Sequence, residues 1–135
     1  MKFKTDLITY QGIYRSLETA KLNLPTNEGR RTILANHMPV MMPLAIGVIE
    51  TSEEGKLRHY VTDGGVLYFK DNVAEIVADN VIDVEEIDVE KALRDKEKEE
   101  KRLASARREN EKIRARSRIE VAENLLKAAE KYLKQ

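Results

Sequence analysis

Every glycine and every proline of this chain lies in its first 65 residues: Gly12, Gly29, Gly47, Gly55, Gly64 and Gly65, with Pro25, Pro39 and Pro43. From Val66 to Gln135 nothing breaks a helix or adopts a positive backbone angle freely. Turns must therefore concentrate early, and the end of the chain is free to be helical. Six of the seven aromatics fall within residues 1–87, leaving only Tyr132 beyond them. Charge divides at the same place. Residues 1–87 carry 9 Lys+Arg and 13 Asp+Glu, and residues 88–135 carry 15 and 11. The formal net charge of zero is thus the sum of an acidic part and a basic part. A net charge of zero argues against a strongly basic nucleic-acid binder and against an acidic tail. The chain has 135 residues, which suits one or two small domains.

The first part reads as β-structure. Short β-branched or alternating runs are separated by turn residues. Phe3–Tyr10 is followed by Gln11-Gly12. Ile13–Leu24 places Leu17, Thr19, Lys21 and Asn23 on one face and ends at Pro25. Asn27-Glu28-Gly29 makes a turn before Ile33-Leu34. Leu44–Glu50 runs to Glu53-Glu54-Gly55, and Leu57–Thr62 ends at Asp63-Gly64-Gly65, read as a tight turn. Val66–Lys70, the turn Asp71-Asn72 and Val73–Ala78 complete the series. About 8–10 short strands at near-regular spacing predict a β-sandwich.

The second part reads as helix. Glu, Lys, Arg, Ala and Leu dominate from Asp88 onward, and all are strong helix formers. Ile119, Ala122, Leu126, Ala129 and Leu133 form a seam at helical spacing, widened by Leu125 and Tyr132. Val89, Leu93, Leu103 and Ala104 form a sparser stripe, with Lys96 and Glu100 at seam positions. The seam weakens around 105–110, where Ser105 and Asn110 are the expected cap or turn residues. The reading is an α+β chain: a sandwich over 1–84, a hinge at 85–88 and an antiparallel helical hairpin over 89–135, its helices near 89–105 and 110–133. The hinge sits within Asp79–Asp88, where strand patterning stops and Asp83, Glu85 and Glu86 accumulate.

Groups that carry chemistry are sparse. There is no cysteine, which removes disulfides, thiol nucleophiles and thiolate metal sites. His37 and His59 stand far apart with no ligand spacing around them, so no metal is expected. No nucleophile elbow or phosphate-cradling glycine loop is present. Paired acids such as Glu53-Glu54, Glu85-Glu86 and Glu99-Glu100 read as solvated faces. The longest uncharged run is shorter than the roughly 20 apolar residues of a membrane span, and three breakers interrupt it. Met1-Lys2-Phe3-Lys4-Thr5-Asp6 puts an acid where a secretory leader is apolar. The expectation is a chain with no catalytic residues.

Certain residues stand in a specific order. They are Gly29, Ile33-Leu34, His37 and Pro39, then Gly47-Val48, Gly64-Gly65-Val66-Leu67, Asn72-Val73 and Ile87-Asp88. Over essentially its whole length the chain resembles the epsilon subunit of bacterial F-type ATP synthase. That family usually reads G-x-x-G-I-L-P-G-H-x-P in the first segment. Here Thr32, Ala35 and Asn36 replace a glycine, the proline and a glycine; asparagine still tolerates left-handed backbone angles.

The resemblance implies a sandwich at the foot of a rotary central stalk, gripping the gamma subunit and resting on the c-ring. It implies a hairpin that folds back or extends along gamma toward the alpha/beta subunits, resisting ATP hydrolysis when extended. The chain would then be a non-catalytic subunit, peripheral at the cytoplasmic face of the bacterial cell membrane and touching the membrane only through the c-ring. Arg30, Arg31, His37, Met38 and Met41 become candidate contacts to the c-ring or gamma, and clustered methionines suit an adaptable apolar contact. Arg107, Arg108, Lys112 and Arg114 become candidate contacts to acidic beta-subunit surfaces, with 107, 114 and 118 expected on one helical face and 108 and 112 on another. A solvated helix surface is the ordinary outcome for such a charge run.

No cofactor is required, but ATP is implied as a regulatory ligand. The family's I-D-x-x-R-A stands here as Ile87-Asp88-Val89-Glu90-Lys91-Ala92. Lys91 keeps the charge of the motif arginine and loses its planar fork. Arg94, Lys98 and, from the second helix, Arg118 are the further phosphate candidates, and Asp88 is a good helix N-cap in either case. Two other classes compete. A sandwich-and-hairpin adaptor without a rotary role would fail to bind gamma. A nucleic-acid-binding hairpin using 107–118 would show steep salt dependence, and the acidic first part argues against it.

Overall fold

In the computed structural model, which describes residues 1–133, strands occupy the chain up to Asp83 and helices follow. Two compact units result, Met1–Asp83 and Val84–Gln135.

The first unit is an eight-stranded β-sandwich. Its strands are β1 (Phe3–Thr9), β2 (Gly12–Thr19), β3 (Lys21–Thr26), β4 (Gly29–Leu34), β5 (Val40–Glu53), β6 (Lys56–Lys70), β7 (Val73–Val77) and β8 (Val81–Asp83). They hydrogen-bond in the order β2-β1-β7-β6-β5-β3-β4, with β8 also on β6. Pairing is antiparallel except between β1 and β7, which run parallel. The long β5–β6 hairpin spans both layers. The second half of β6 pairs β7 through Val66–Lys70, and its first half pairs β8 through Tyr60–Thr62.

Phe3, Leu7, Leu17, Leu22, Leu24, Ile33, Ile49, Tyr60, Leu67, Phe69 and Ile76 are buried between the layers. Phe3 and Phe69 meet edge to face at 5.4 Å. Two left-handed residues close each of two hairpins, Glu54-Gly55 between β5 and β6 and Asp71-Asn72 between β6 and β7. Such turns match the twist of the strands they join.

Three expectations about this unit change. The run through Asp63-Gly64-Gly65 is no tight turn. β6 is one strand from Lys56 to Lys70 that bends there, with φ of +116° at Gly64 and +110° at Gly65. A Cβ on Gly65 would lie 2.3 Å from the Val77 carbonyl oxygen, so the bend also depends on the missing side chain. Ile13–Leu24 is two strands. The chain breaks at Ala20, and the inward face switches from Leu17 and Thr19 to Leu22 and Leu24, leaving Lys21 exposed. Thr19 explains the switch: its hydroxyl donates to the Ser52 and Lys21 carbonyls (3.0 and 2.9 Å) and pins the crossing point. Finally, β3 runs through Pro25, whose missing N–H costs nothing because β3 pairs β5 only at Leu22 and Asn23.

The second unit starts with a single 3-10 turn, Val84–Glu86, and continues as helices α1 (Val89–Ser105) and α2 (Glu109–Tyr132). Asp88 caps α1, its carboxylate accepting from the Lys91 N–H at 3.0 Å. Ser105 and Asn110, expected as cap or turn residues, lie inside the helices rather than in the turn, although the Asn110 side chain accepts from the Glu111 N–H at 3.0 Å in the first turn of α2. The Ser105 hydroxyl donates back into α1, to the Lys101 and Arg102 carbonyls. Asn110 lies inside α2, which starts after Arg108 with no side-chain cap. The turn is Ala106–Arg108.

On α2 the seam is as expected and extends back one step: Ala115, Ala122 and Ala129 are buried, with Ile119 and Leu126 half-buried between them. Leu133, expected at its end, is 38% exposed. On α1 the buried face is different. Ala92 and Glu99 are buried and Lys96 and Leu103 half-buried, whereas Val89, Leu93 and Ala104 are exposed. Ala92, Lys96, Glu99 and Leu103 recur at steps of four and three, the spacing of one helical face. A carboxylate was placed on that face where hydrophobicity alone would have chosen leucine.

Candidate functional site

Arg30 and Arg31 sit on β4, and both are tied locally. Arg30 donates to the Asn23 side chain and carbonyl, and Arg31 pairs with Glu28 at 3.1 Å. His37, Met38 and Met41 lie beyond β4. The loop carrying His37 and Met38 turns at Asn36, whose φ is +66°, the left-handed angle expected of an asparagine in the family's glycine position. Asn72 clamps that turn: its side chain accepts from the Asn36 N–H at 2.6 Å and donates to the Asn36 side chain at 2.8 Å. The His37 ring donates through Nδ1 to the Met38 carbonyl (2.7 Å) and stacks edge-on to Phe69. Met38 and Met41 then stand 72% and 66% exposed, while Val40 and Met42 pack on the core. A groove of about 720 Å³ runs beside them, lined by Met41, Tyr68 and Val73 among others. Met38 and Met41 are thus large apolar side chains held open to solvent beside a braced loop.

The second candidate group divides. Asp88 and Lys91 meet at the start of α1, and Lys91 also pairs with Asp95 at 3.5 Å. Arg94 and Lys98 follow on the same exposed side, while Ile87 is half-buried and Ala92 buried. Arg118 is elsewhere: it reaches Glu99 from α2 at 3.5 Å. Glu99 lies eight residues past Lys91, about 12 Å along a helix, so the hairpin register does not bring Arg118 to the Asp88–Lys91 group.

The basic run also divides. Arg107 and Arg108 belong to the turn, so they share no helical face with Arg114 and Lys112 as expected. Helical spacing begins only at Glu109. Arg107, Arg108 and Arg114 are exposed, Lys112 is half-buried, and Arg116 pairs with Glu109 at 3.6 Å.

One cluster gave no sequence signal. Asp83, the last residue of β8, is buried and takes a 2.6 Å hydrogen bond from Arg15. Its backbone N–H donates to the Tyr14 hydroxyl at 3.0 Å, and Arg58 lies 3.8 Å from its carboxylate. Arg15 also donates to the Tyr60 hydroxyl, which in turn donates to Glu53 at 3.0 Å. Burial pushes the Tyr60 hydroxyl up to about 12, moderated by the hydrogen bond from Arg15, while Glu53 raises it further. Tyr60, then Asp83, holds the Arg15 guanidinium charged against the cost of burial. The partners come from β2, β5, β6 and β8, which no local pattern could have linked. Their effect is to fasten the last residue of the sandwich before the hairpin begins.

Among the described residues no group of His, Asp or Glu could hold a metal, and no helix is long and apolar enough to cross a membrane. The fold defines a two-part chain: a β-sandwich with a braced methionine loop, then a charged helical hairpin. Residues 2–84 match the family described as ATP synthase, Delta/Epsilon chain, beta-sandwich domain. The ATP synthase epsilon chain of Caldicellulosiruptor bescii is 35% identical over 129 residues, 96% of this chain and 94% of that one. That of Lactobacillus helveticus is 32% identical, covering 89% and 84%. A chain in the cryo-EM structure of Euglena gracilis mitochondrial ATP synthase, OSCP/F1/c-ring in rotational state 1, superposes with a TM-score of 0.77 at 28% identity, covering 94% of this chain and 81% of that one. The chain therefore belongs to the epsilon-chain family of ATP synthase, a non-catalytic subunit of that complex. A chain in the cryo-EM structure of the Tetrahymena thermophila mitochondrial ATP synthase central stalk and c-ring shares the fold, with a TM-score of 0.67 at 19% identity.

Proposed function

We propose that this chain couples the gamma subunit to the c-ring of a bacterial rotary ATP synthase, and that its hairpin brakes ATP hydrolysis by switching between folded and extended states. The observation that carries the reading is the division at Asp83/Val84 into two units, each with its own packing. The Asp83 cluster fastens the near side of the joint. Beyond it Val84–Asp88 is only a 3-10 turn and a cap. A joint so short between two self-sufficient bodies suits a hinge. With 17 and 24 residues, α1 and α2 span roughly 25 and 36 Å, so extending them end to end reaches about 60 Å.

In this reading the Met38–Met41 surface, with Arg30, Arg31 and His37, faces the c-ring and gamma. Arg107, Arg108, Lys112 and Arg114 at the hairpin turn face acidic beta-subunit surfaces, where such charges guide approach more than they add affinity. The chain is peripheral at the cytoplasmic face of the membrane. ATP is its regulatory ligand, bound beside Asp88 by the exposed row Lys91, Arg94 and Lys98 in the folded state. A ligand confined to that state at 100 times its Kd stabilises it by about 2.7 kcal/mol, enough to shift a balanced switch about a hundredfold.

The test is a cross-link holding 88–135 against the sandwich in the assembled complex. ATP hydrolysis should rise when the hairpin is locked back, and equal rates in locked and free forms would remove the brake. For the ligand, calorimetry with ATP on the isolated chain should give heat and a raised melting temperature. Neither at millimolar ATP would remove the sensor.

A further inference from the structure

The chain holds four methionines and neither cysteine nor tryptophan, so its thioethers are the side chains most open to two-electron oxidation. Three of the four gather around one turn. Met38 stands two residues past Asn36, and Met41 lies at the start of β5; both are mostly exposed. Met1 joins them from the start of the chain, its sulfur accepting from Asn36 Nδ2 at 3.6 Å. The backbone beneath these side chains is fixed. Asn72 holds the Asn36 turn, and the His37 ring holds the Met38 carbonyl. Met42 differs, because strand alternation turns it inward against the core. The sulfurs of Met38 and Met41 are thus offered to solvent by a frame that does not depend on them. The next residue along β5 carries the same group in shelter.

A solvent-exposed thioether meets peroxide directly. The sulfur lone pair attacks one oxygen of hydrogen peroxide, a sulfur–oxygen bond forms and the oxygen–oxygen bond breaks. The proton on the transferred oxygen passes to the departing hydroxide, which leaves as water. The sulfur is oxidised by two electrons to a sulfoxide, polar where the thioether was apolar. We propose that Met38 and Met41 are peroxide-responsive sites, and that their oxidation disables the apolar surface they form for docking while the sandwich stays folded. The inference rests on the docking role proposed above for that surface. Docking covers the same sulfurs, so oxidation acts on the undocked chain and blocks its assembly. A dithiol, acting through a methionine sulfoxide reductase, returns two electrons as it becomes a disulfide; the oxygen leaves as water and the surface is restored.

The experiment treats the full isolated chain with hydrogen peroxide and locates the added oxygen by peptide mass spectrometry. Met38 and Met41 should carry it at doses that leave Met42 unchanged, with no shift in melting temperature. In pull-down the oxidised chain should bind gamma and the c-ring about tenfold more weakly, the scale of placing one unsatisfied polar group in an apolar contact. Reductase with dithiol should reverse the loss. A Met38→Leu, Met41→Leu chain, whatever its own level of assembly, should not respond to peroxide. Oxidation of Met42 as fast as Met38 overturns the inference, as does a leucine chain that loses assembly on treatment. Met38→Ser and Met41→Ser in the same pull-down separate the two readings. If the serine variants assemble poorly and the oxidised chain assembles normally, only the oxidation sites are removed. If the serine variants assemble normally, the docking surface fails and the inference falls with it.

Discussion

Replacing Gly65 by alanine should destabilise the sandwich by two separable effects. Gly65 has φ of +110°, an angle that costs an L-residue about 1–3 kcal/mol. The new methyl would also stand 2.3 Å from the Val77 carbonyl oxygen and 2.9 Å from the Ala78 Cβ. Ordinary contact starts near 3.4 Å, so β7 has to retreat by about an ångström. Its retreat strains the Val66–Val77 pairing and the 3.0 Å hydrogen bond from the Ala78 N–H to the Ile8 carbonyl. Overpacking of this kind costs about 1–3 kcal/mol more. The total, about 2–6 kcal/mol, is a large share of the 5–15 kcal/mol that typically holds a domain together.

Gly12 supplies the control, because its φ is +112° and a Cβ there meets nothing within 4 Å. Gly12→Ala should therefore show the backbone cost alone. Urea unfolding of the full chain followed by tyrosine fluorescence measures both variants. The chain has no tryptophan, and Tyr10, Tyr14, Tyr60 and Tyr68 all lie in the sandwich. If the two variants lose the same stability within about 0.5 kcal/mol, the close approach at Gly65 contributes nothing and the bend reflects backbone angle alone.

Tyr60 sets a pH dependence. Its hydroxyl is pushed up to about 12, against about 10 in an unfolded chain. Below pH 10 both states keep the proton and the full stabilisation is present. Between pH 10 and 12 the unfolded state loses its proton first, so stability should fall by about 2–3 kcal/mol. Tyr60→Phe should flatten that decline relative to the parent chain in urea titrations at each pH, and parallel curves would contradict the assignment. Asp88→Ala removes the side chain that caps the N-terminus of α1 and should cost about 1 kcal/mol of local stability. Faster hydrogen exchange at the Lys91 amide would report it, and unchanged exchange would show that the cap is idle. Met38→Ser and Met41→Ser should leave the melting temperature almost unchanged, since both side chains are largely exposed. The same variants should weaken assembly with the c-ring and gamma in pull-down, and retained assembly would argue that the surface faces solvent.

Much of this molecule was legible in one dimension. Periodicity is a local property, so α2 and its seam of Ile119, Ala122, Leu126 and Ala129 could be read directly, as could the turn residues Glu54-Gly55 and Asp71-Asn72. The left-handed angle at Asn36 followed from the chemistry of asparagine. Residues that punctuate one fold and not another, however, were ambiguous. Gly64-Gly65 reads equally as a turn or as a bend in a long strand, and only the approach of β7 decides for the bend. Lys21 and Asn23 fitted an alternating pattern, but the crossing at Ala20 reversed the face.

The candidate sites followed the same rule. A motif in consecutive residues, such as Ile87 to Ala92, can be seen in sequence, and so can an exposed methionine run. The Arg15, Tyr60 and Asp83 cluster joins residues up to 68 positions apart, and no spacing rule reaches so far. Glu99 was one acid among many in a charged helix. What set it apart was which face of α1 turned inward, and that was settled by packing against α2 rather than by its own neighbours. Sequence alone determined that the chain would be a sandwich followed by helices, because turn-formers and helix-formers are segregated along it. Tertiary structure alone decided which charges are buried and paired, because that depends on contacts between elements that no single element encodes.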